Sequence, residues 1–148
     1  MNEKVQKLIA GIKAYKRPLK IGSFKDLEVY FISYNASIII MLGIIPYLPV
    51  EEKFDLKNQM SRSSKAIPRL IAEGFAKRHQ NKGFQKYLDD ALAESNETQV
   101  GLTQCRDLYT PVLDGKILDL LIPLYERISK QLYATRKNWQ SYRPSDKS

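Results

Sequence analysis

The strongest constraint on the fold lies between Phe84 and Tyr109. Apolar and small residues recur there at Phe84, Leu88, Ala91, Ser95, Thr98, Leu102, Cys105 and Tyr109, in alternating steps of four and three with no intervening proline. Only an α-helix brings that spacing onto one face. A stripe of this length must be covered, and helices of similar length are the natural cover. The small residues in its middle favour a close helix–helix approach.

Three more stretches supply such helices. From Ser23, a candidate N-cap with Asp26 three residues on, the series Phe24, Leu27, Phe31, Tyr34, Ile38, Met41 and Ile45 reads as a seam. Its second half is apolar all round, which suggests covering by another subunit. Pro46 and Pro49 bracket a turn. A second helix is expected from about Val50 to the Lys77–His79 region, with Phe54, Met60, Ser64, Ile67, Ile71 and Gly74 inward. Pro68 removes one of its hydrogen bonds, and Gly74 permits close contact. After the turn at residues 79–83 comes the Phe84–Tyr109 helix. Asp114-Gly115 marks the last turn, and the fourth helix, about Lys116 to Trp139, turns Ile117, Leu121, Leu124, Ile128 and Leu132 inward.

Four long helical patterns with no comparable strand signal predict an all-α, antiparallel up-and-down four-helix bundle over residues 23–139. Residues 1–22 read as an added basic amphipathic helix. Val5, Leu8, Ile9, Ile12 and Tyr15 share a face among six lysines and arginines, and Pro18 ends it. It can pack on the bundle or a neighbouring subunit, touch a polyanion, or lie on a membrane. Residues 140–148 read as a flexible polar tail.

The order and spacing of particular residues resemble a known family. Phe24 to Val29 opens the first bundle helix. Gln59 to Arg62, Ala66-Ile67-Pro68, Ile71-Ala72-Glu73-Gly74 and Arg78 follow in the second. Phe84, Tyr87-Leu88, Ala91, Glu94, Glu97-Thr98 and Leu102 lie in the third. The pattern is similar to the S23-type four-helix-bundle proteins, also called 23S rRNA-intervening-sequence proteins, over about residues 23–135. The resemblance implies a four-helix bundle and a homopentamer. It also implies kinship with the accessory proteins of diversity-generating retroelements, which are basic pentamers that bind nucleic acid and a reverse transcriptase. RNA or DNA and a reverse transcriptase are thus the partners it implies. Residues 1–22 have no counterpart in the pattern.

The chemistry legible in the chain is mostly charge. Di-iron bundles need inward glutamates with Glu-x-x-His pairs, whereas the one histidine, His79, has no glutamate three residues before it. No metal and no cofactor are expected. Cys105 sits on a seam and reads as a core thiol, and no glycine-rich phosphate loop is present. No catalytic residues are therefore assigned. A lone cysteine excludes an internal disulfide and suits a reduced, cytoplasmic setting. The apolar run Ile38–Leu48 is shorter than the roughly 20 residues a membrane span needs, so no membrane is expected as a partner.

The net charge of +8 suits a polyanion, with solubility alone as the other reading. Arg62, Arg69 and Glu73 share one face of the second helix, and Glu94 and Glu97 share one of the third. These lines are expected to pair within the bundle or across subunits, fixing register. The alternative turns Arg62, Lys65 and Arg69 toward phosphates. Two further groups are candidates for phosphate contact: Lys77, Arg78, Lys82 and Lys86 at the second turn, and Arg127, Lys130, Arg136 and Lys137 near Tyr133 and Trp139. These groups are expected at opposite ends of the bundle. The leading expectation is a non-enzymatic, oligomeric nucleic-acid-associated protein; the alternative is an oligomeric protein–protein adaptor.

Overall fold

A computed structural model describes residues 2–142. Among them are five α-helices and no strand: α1 (Glu3–Lys13), α2 (Glu28–Gly43), α3 (Leu56–Ala76), α4 (Gly83–Tyr109) and α5 (Gly115–Tyr142). Helices α2 to α5 run up and down as an antiparallel bundle, with α3 against both α2 and α4, and α5 against α4 and α2. The backbone of residues 140–142 continues α5; the rest of the tail expected from the sequence, 143–148, lies outside the described residues.

The α3–α4 hairpin is the tightest contact. A methyl group added at Gly74 would stand 2.5 Å from Tyr87 Cβ, and one at Gly101 would stand 2.8 Å from Met60 Cγ. The two backbones therefore approach at both ends of the hairpin only because these positions carry no side chain. Between them, buried Ser63 Oγ and Thr98 Oγ1 share a hydrogen bond of 2.8 Å. A parallel arrangement joins α4 to α5, where Ser95 Oγ lies 2.8 Å from Ser129 Oγ. These hydroxyls are small enough for close packing, and each is hydrogen-bonded, so burying them carries little penalty.

Apart from Tyr109, which is half-buried at the end of α4, the α4 and α5 seams stand as expected. Phe84, Leu88, Ala91, Ser95, Thr98, Leu102 and Cys105 are buried, as are Ile117, Leu121, Leu124, Ile128 and Leu132. The α2 seam is different. The helix buries Val29, Ile32, Ser33, Ala36, Ile39, Ile40 and Gly43. Of the expected series only Leu27 is buried, and Tyr34 is 47 % exposed. The cause is composition. A helix apolar on nearly every side carries no phase information, and packing then selects the face with small residues at Ser33, Ala36 and Gly43. The displaced aromatics flank the seam, with Phe24 on Tyr30 and Tyr30 on Tyr34 at ring separations of 4.9 and 5.9 Å.

Two helix starts also differ. Ser23 and Asp26 do form reciprocal capping bonds, but around a single 3-10 turn, Phe24–Asp26, with α2 beginning at Glu28. The second bundle helix starts at Leu56, after a further 3-10 turn at Val50–Glu52. Phe54 is consequently 83 % exposed, and Leu56 takes its place in the core. Glu52 holds this junction. One carboxylate oxygen accepts from the Leu56 N–H at 3.3 Å, and the other accepts from the Tyr109 hydroxyl at the end of α4.

Helix α1 is capped by Asn2, whose side chain accepts the Val5 N–H at 2.8 Å. It lies antiparallel on α2. Val5, 1 % exposed, sits beside Gly43, and Tyr15 meets Phe31 at 4.7 Å between ring centres. Part of the apolar surface of α2 is thus covered by the chain itself. Residues Glu28–Tyr47 are long and apolar enough by composition to cross a bilayer, with mean hydropathy 1.8, beyond the shorter Ile38–Leu48 run read from sequence. Half of that window is buried in the fold.

Gly74→Ala should lower unfolding stability by about 1–3 kcal/mol, because the added carbon forces α3 from α4. Gly11→Ala on α1, where an added carbon meets nothing within 4 Å, should instead raise it by roughly 0.5–1 kcal/mol. Urea denaturation of the two variants measures both.

Candidate functional site

In an up-and-down bundle α3 ends, α4 begins and α5 ends at one pole. The Lys77–Lys86 group therefore shares that pole with Arg136 and Lys137, and the expectation of opposite ends is corrected; Arg127 and Lys130 lie nearer the middle of α5, where Ser129 meets Ser95 of α4. Contacts between the elements establish it. Trp139 of α5 packs edge-to-face on Phe84 of α4, 5.0 Å between centres, and on Phe75 of α3 at 6.0 Å. Arg136 Nε lies 2.6 Å from the Asp89 carboxylate. The first residues of α2 come to the same pole, where Leu27 and Glu28 share a groove with Thr135 and Trp139.

The basic side chains there differ in freedom. Lys77 Nζ donates to the Tyr87 hydroxyl at 2.8 Å and lies 5.1 Å from the ring centre, and that hydrogen bond raises its pKa above the ordinary lysine value. Arg78 stacks 4.1 Å over the Phe75 ring and donates to the Phe75 carbonyl at 2.8 Å. Both cations are positioned by aromatic rings, and neither closes an ion pair among the described residues, although Glu73 lies near enough to Lys77 to add to the rise in its pKa. Lys82, in a left-handed turn with φ 56°, Lys86 and Lys137 are exposed and likewise unpaired. Arg136 is neutralised by Asp89, and Lys130 lies 3.4 Å from Glu126 one turn away. Arg127 is paired with Glu28, whose carboxylate also takes Arg17 Nε at 3.1 Å. Of the two basic groups, the cations at this pole that close no ion pair among the described residues are thus Lys77, Arg78, Lys82, Lys86 and Lys137.

The charged lines of α3 and α4 border an open groove with Arg62, Lys65, Arg69 and Glu73 on one side and Asp90 and Glu94 on the other. Among the described residues no ion pair joins Arg62 or Arg69 to Glu94 or Glu97, and Arg62 Nε donates to Asn58 at 3.3 Å. Partial burial raises the pKa of Glu94, Glu97 beside it adds to the rise, and Arg62 opposes it. The lines face each other without closing into a clamp inside one chain.

A second groove escaped the sequence reading. It lies between residues 17–29 and the end of α5, and Gln131, Thr135, Asn138 and Trp139 form its α5 wall. The spacing i, i+4, i+7, i+8 is legible in sequence, but as an ordinary solvated face; only the fold lays residues 17–29 across it.

Cys105 is buried, 4.0 Å from the Met60 sulfur, and burial beside Glu52 pushes its thiol up to about 12. His79 is exposed in the α3–α4 turn. Among the described residues no group of three or more His, Cys, Asp or Glu could hold a metal ion.

These features define a helical-bundle protein with an aromatic-supported cationic pole. The chain matches the sequence model of the 23S rRNA-intervening sequence protein over residues 25–134, and it belongs to that family. Neither curated proteins nor solved structures give a match. Helix α1 falls outside the matched region.

Glu94→Gln should stabilise the fold at neutral pH, by no more than about 1 kcal/mol because water screens the site. The folded state favours the protonated acid, so the gain should vanish as acid protonates the wild-type carboxyl; urea midpoints across pH test this. Cys105 should resist a disulfide reagent at pH 8 until denaturant is added. Because its folded pKa is raised, its contribution to stability is present below about 9 and lost as pH rises toward about 12.

Proposed function

We propose that this protein is a non-enzymatic, nucleic-acid-associated module that holds RNA or DNA phosphates at the pole formed by the α3–α4 turn and the end of α5. One observation carries the reading: basic residues far apart in sequence, Lys77 to Lys86 and Lys137, gather there, and five of these cations close no ion pair among the described residues. Rings fix two of these cations, which lowers the entropy lost on engaging phosphate. Phosphate contacts of this kind position a strand with little base selection. The family description, which names an rRNA intervening sequence, is in keeping with a nucleic-acid partner. Repetition of the pole in a homo-oligomer would multiply the contacts.

A second reading rests on the opposite pole. Tyr47, Val50 and Phe54 in the α2–α3 connection, and Leu108 and Val112 around the end of α4, are exposed. Exposed apolar side chains gathered at one end suit a protein contact, as in an oligomeric adaptor.

Binding of a labelled RNA should weaken steeply with salt. Lys77→Glu/Arg78→Glu should weaken it at least about tenfold and flatten the salt dependence, whereas Lys53→Glu/Lys57→Glu at the other pole should leave both nearly unchanged. Equal losses in the two variants, or no binding at low salt, would remove the polar-site reading. Light scattering gives the oligomeric state.

A further inference from the structure

The groove between residues 17–29 and α5 adjoins the cationic pole and has a different chemistry. Its volume is about 350 Å³, within the roughly 300–1,000 Å³ of small-ligand sites. Its acids are already engaged. Asp26 Oδ2 accepts from the Gly22 and Ser23 N–H groups at 2.7 and 3.0 Å, and Glu28 is held by Arg17 and Arg127.

The side chains of Gln131, Thr135 and Asn138 on the α5 wall have no hydrogen-bond partner among the described residues, and Gln131 Oε1 is buried without a donor. A buried amide oxygen lacking a donor is costly and uncommon in a folded protein. That oxygen is itself closed to the groove, so the wall meets a ligand through the Gln131 amide nitrogen, Thr135 and Asn138. Trp139 borders the same wall, its ring held by Phe75 and Phe84. Arg17 stands at the rim; only its Nε engages Glu28, and its side chain is 79 % exposed.

We infer that this groove takes one unpaired nucleobase, with the attached phosphate at Arg17. Carboxamides present a donor and an acceptor side by side, matching the edge of a base, and an indole offers a stacking surface. The inference deepens the proposed function and rests on it for the strand that would carry the base. A strand would lay its backbone on the free cations of the pole and turn one base into the groove. A free mononucleotide has the same base-and-phosphate chemistry, so the test must separate the two sources.

Trp139 is the only tryptophan, and its emission reports on this wall and on the aromatic floor of the adjoining pole; polyphosphate, which carries no base, gives the share due to the pole. The full chain is titrated with adenosine or uridine monophosphate, with a single-stranded oligonucleotide, and with inorganic polyphosphate of equal charge. The oligonucleotide should change Trp139 emission and bind at least about fivefold tighter than polyphosphate, the low end of what one stacked base contributes. Gln131→Leu/Asn138→Leu should abolish that ratio while leaving polyphosphate binding intact, with helical circular dichroism and a cooperative thermal transition showing that the variant is folded.

Equal binding of oligonucleotide and polyphosphate, with unchanged emission, would overturn the groove and leave the cationic pole standing. An emission change with a monophosphate, but no binding of the strand, would keep the groove as a free-nucleotide site and overturn the pole. No response to any of the three would overturn both. The monophosphate titration needs no variant, so the inference is decided even if the double variant does not fold.

Discussion

The close approach of α3 to α4 is the constraint on which the remaining architecture depends. Gly74 and Gly101 let the two backbones meet where any side chain would collide, and Ser63 with Thr98 supplies a polar contact of the same small size between them. Van der Waals attraction falls off steeply with separation, so a hairpin this tight gains dispersion energy along its whole length. It also sets register, because a shift of one turn would carry Tyr87 away from Gly74 and Met60 from Gly101. Helices α2 and α5 then pack on opposite sides of a fixed pair.

That register reaches the chemistry. The hairpin turn presents Lys77, Arg78, Lys82 and Lys86 at a pole whose aromatic floor is Phe75, Phe84 and Trp139. The overall charge of +8 is thereby distributed unevenly. Ion pairs at Glu28, Asp89 and Glu126 neutralise some basic residues of α5, and those at the turn stay free. A solvated basic face and a phosphate site look alike in composition. What separates them here is how many cations retain an acidic neighbour, and that is a property of packing.

Much of the bundle was legible in the chain. The α4 and α5 seams are strict because each alternates with polar residues, so periodicity fixes their phase as well as their existence. In α2 the same reasoning located the helix and missed its face, since a segment apolar all round satisfies several phases. The spacing of Phe54 suits a helix that begins near Val50, whereas α3 begins at Leu56 and leaves Phe54 outside the core. The site was legible only in its parts. Each basic group was visible, but the pole that Lys77 to Lys86 share with Arg136 and Lys137 follows from counting the reversals of an up-and-down chain, and Trp139 against Phe84 makes that explicit. The groove beneath residues 17–29 had a sequence signal no different from that of a solvated helix face.

By itself the sequence determined that this chain is helical, where its long helices lie, that small residues mark the closest contact, and which family it joins. Local periodicity and the steric size of glycine and serine suffice for that, because both act within a few residues. Tertiary structure decided which cations remain free, which face of α2 is buried, and that Gln131 Oε1 lacks a donor. These are outcomes of distance and desolvation between segments remote in sequence, such as Glu28 and Arg127, and no window along the chain contains both partners.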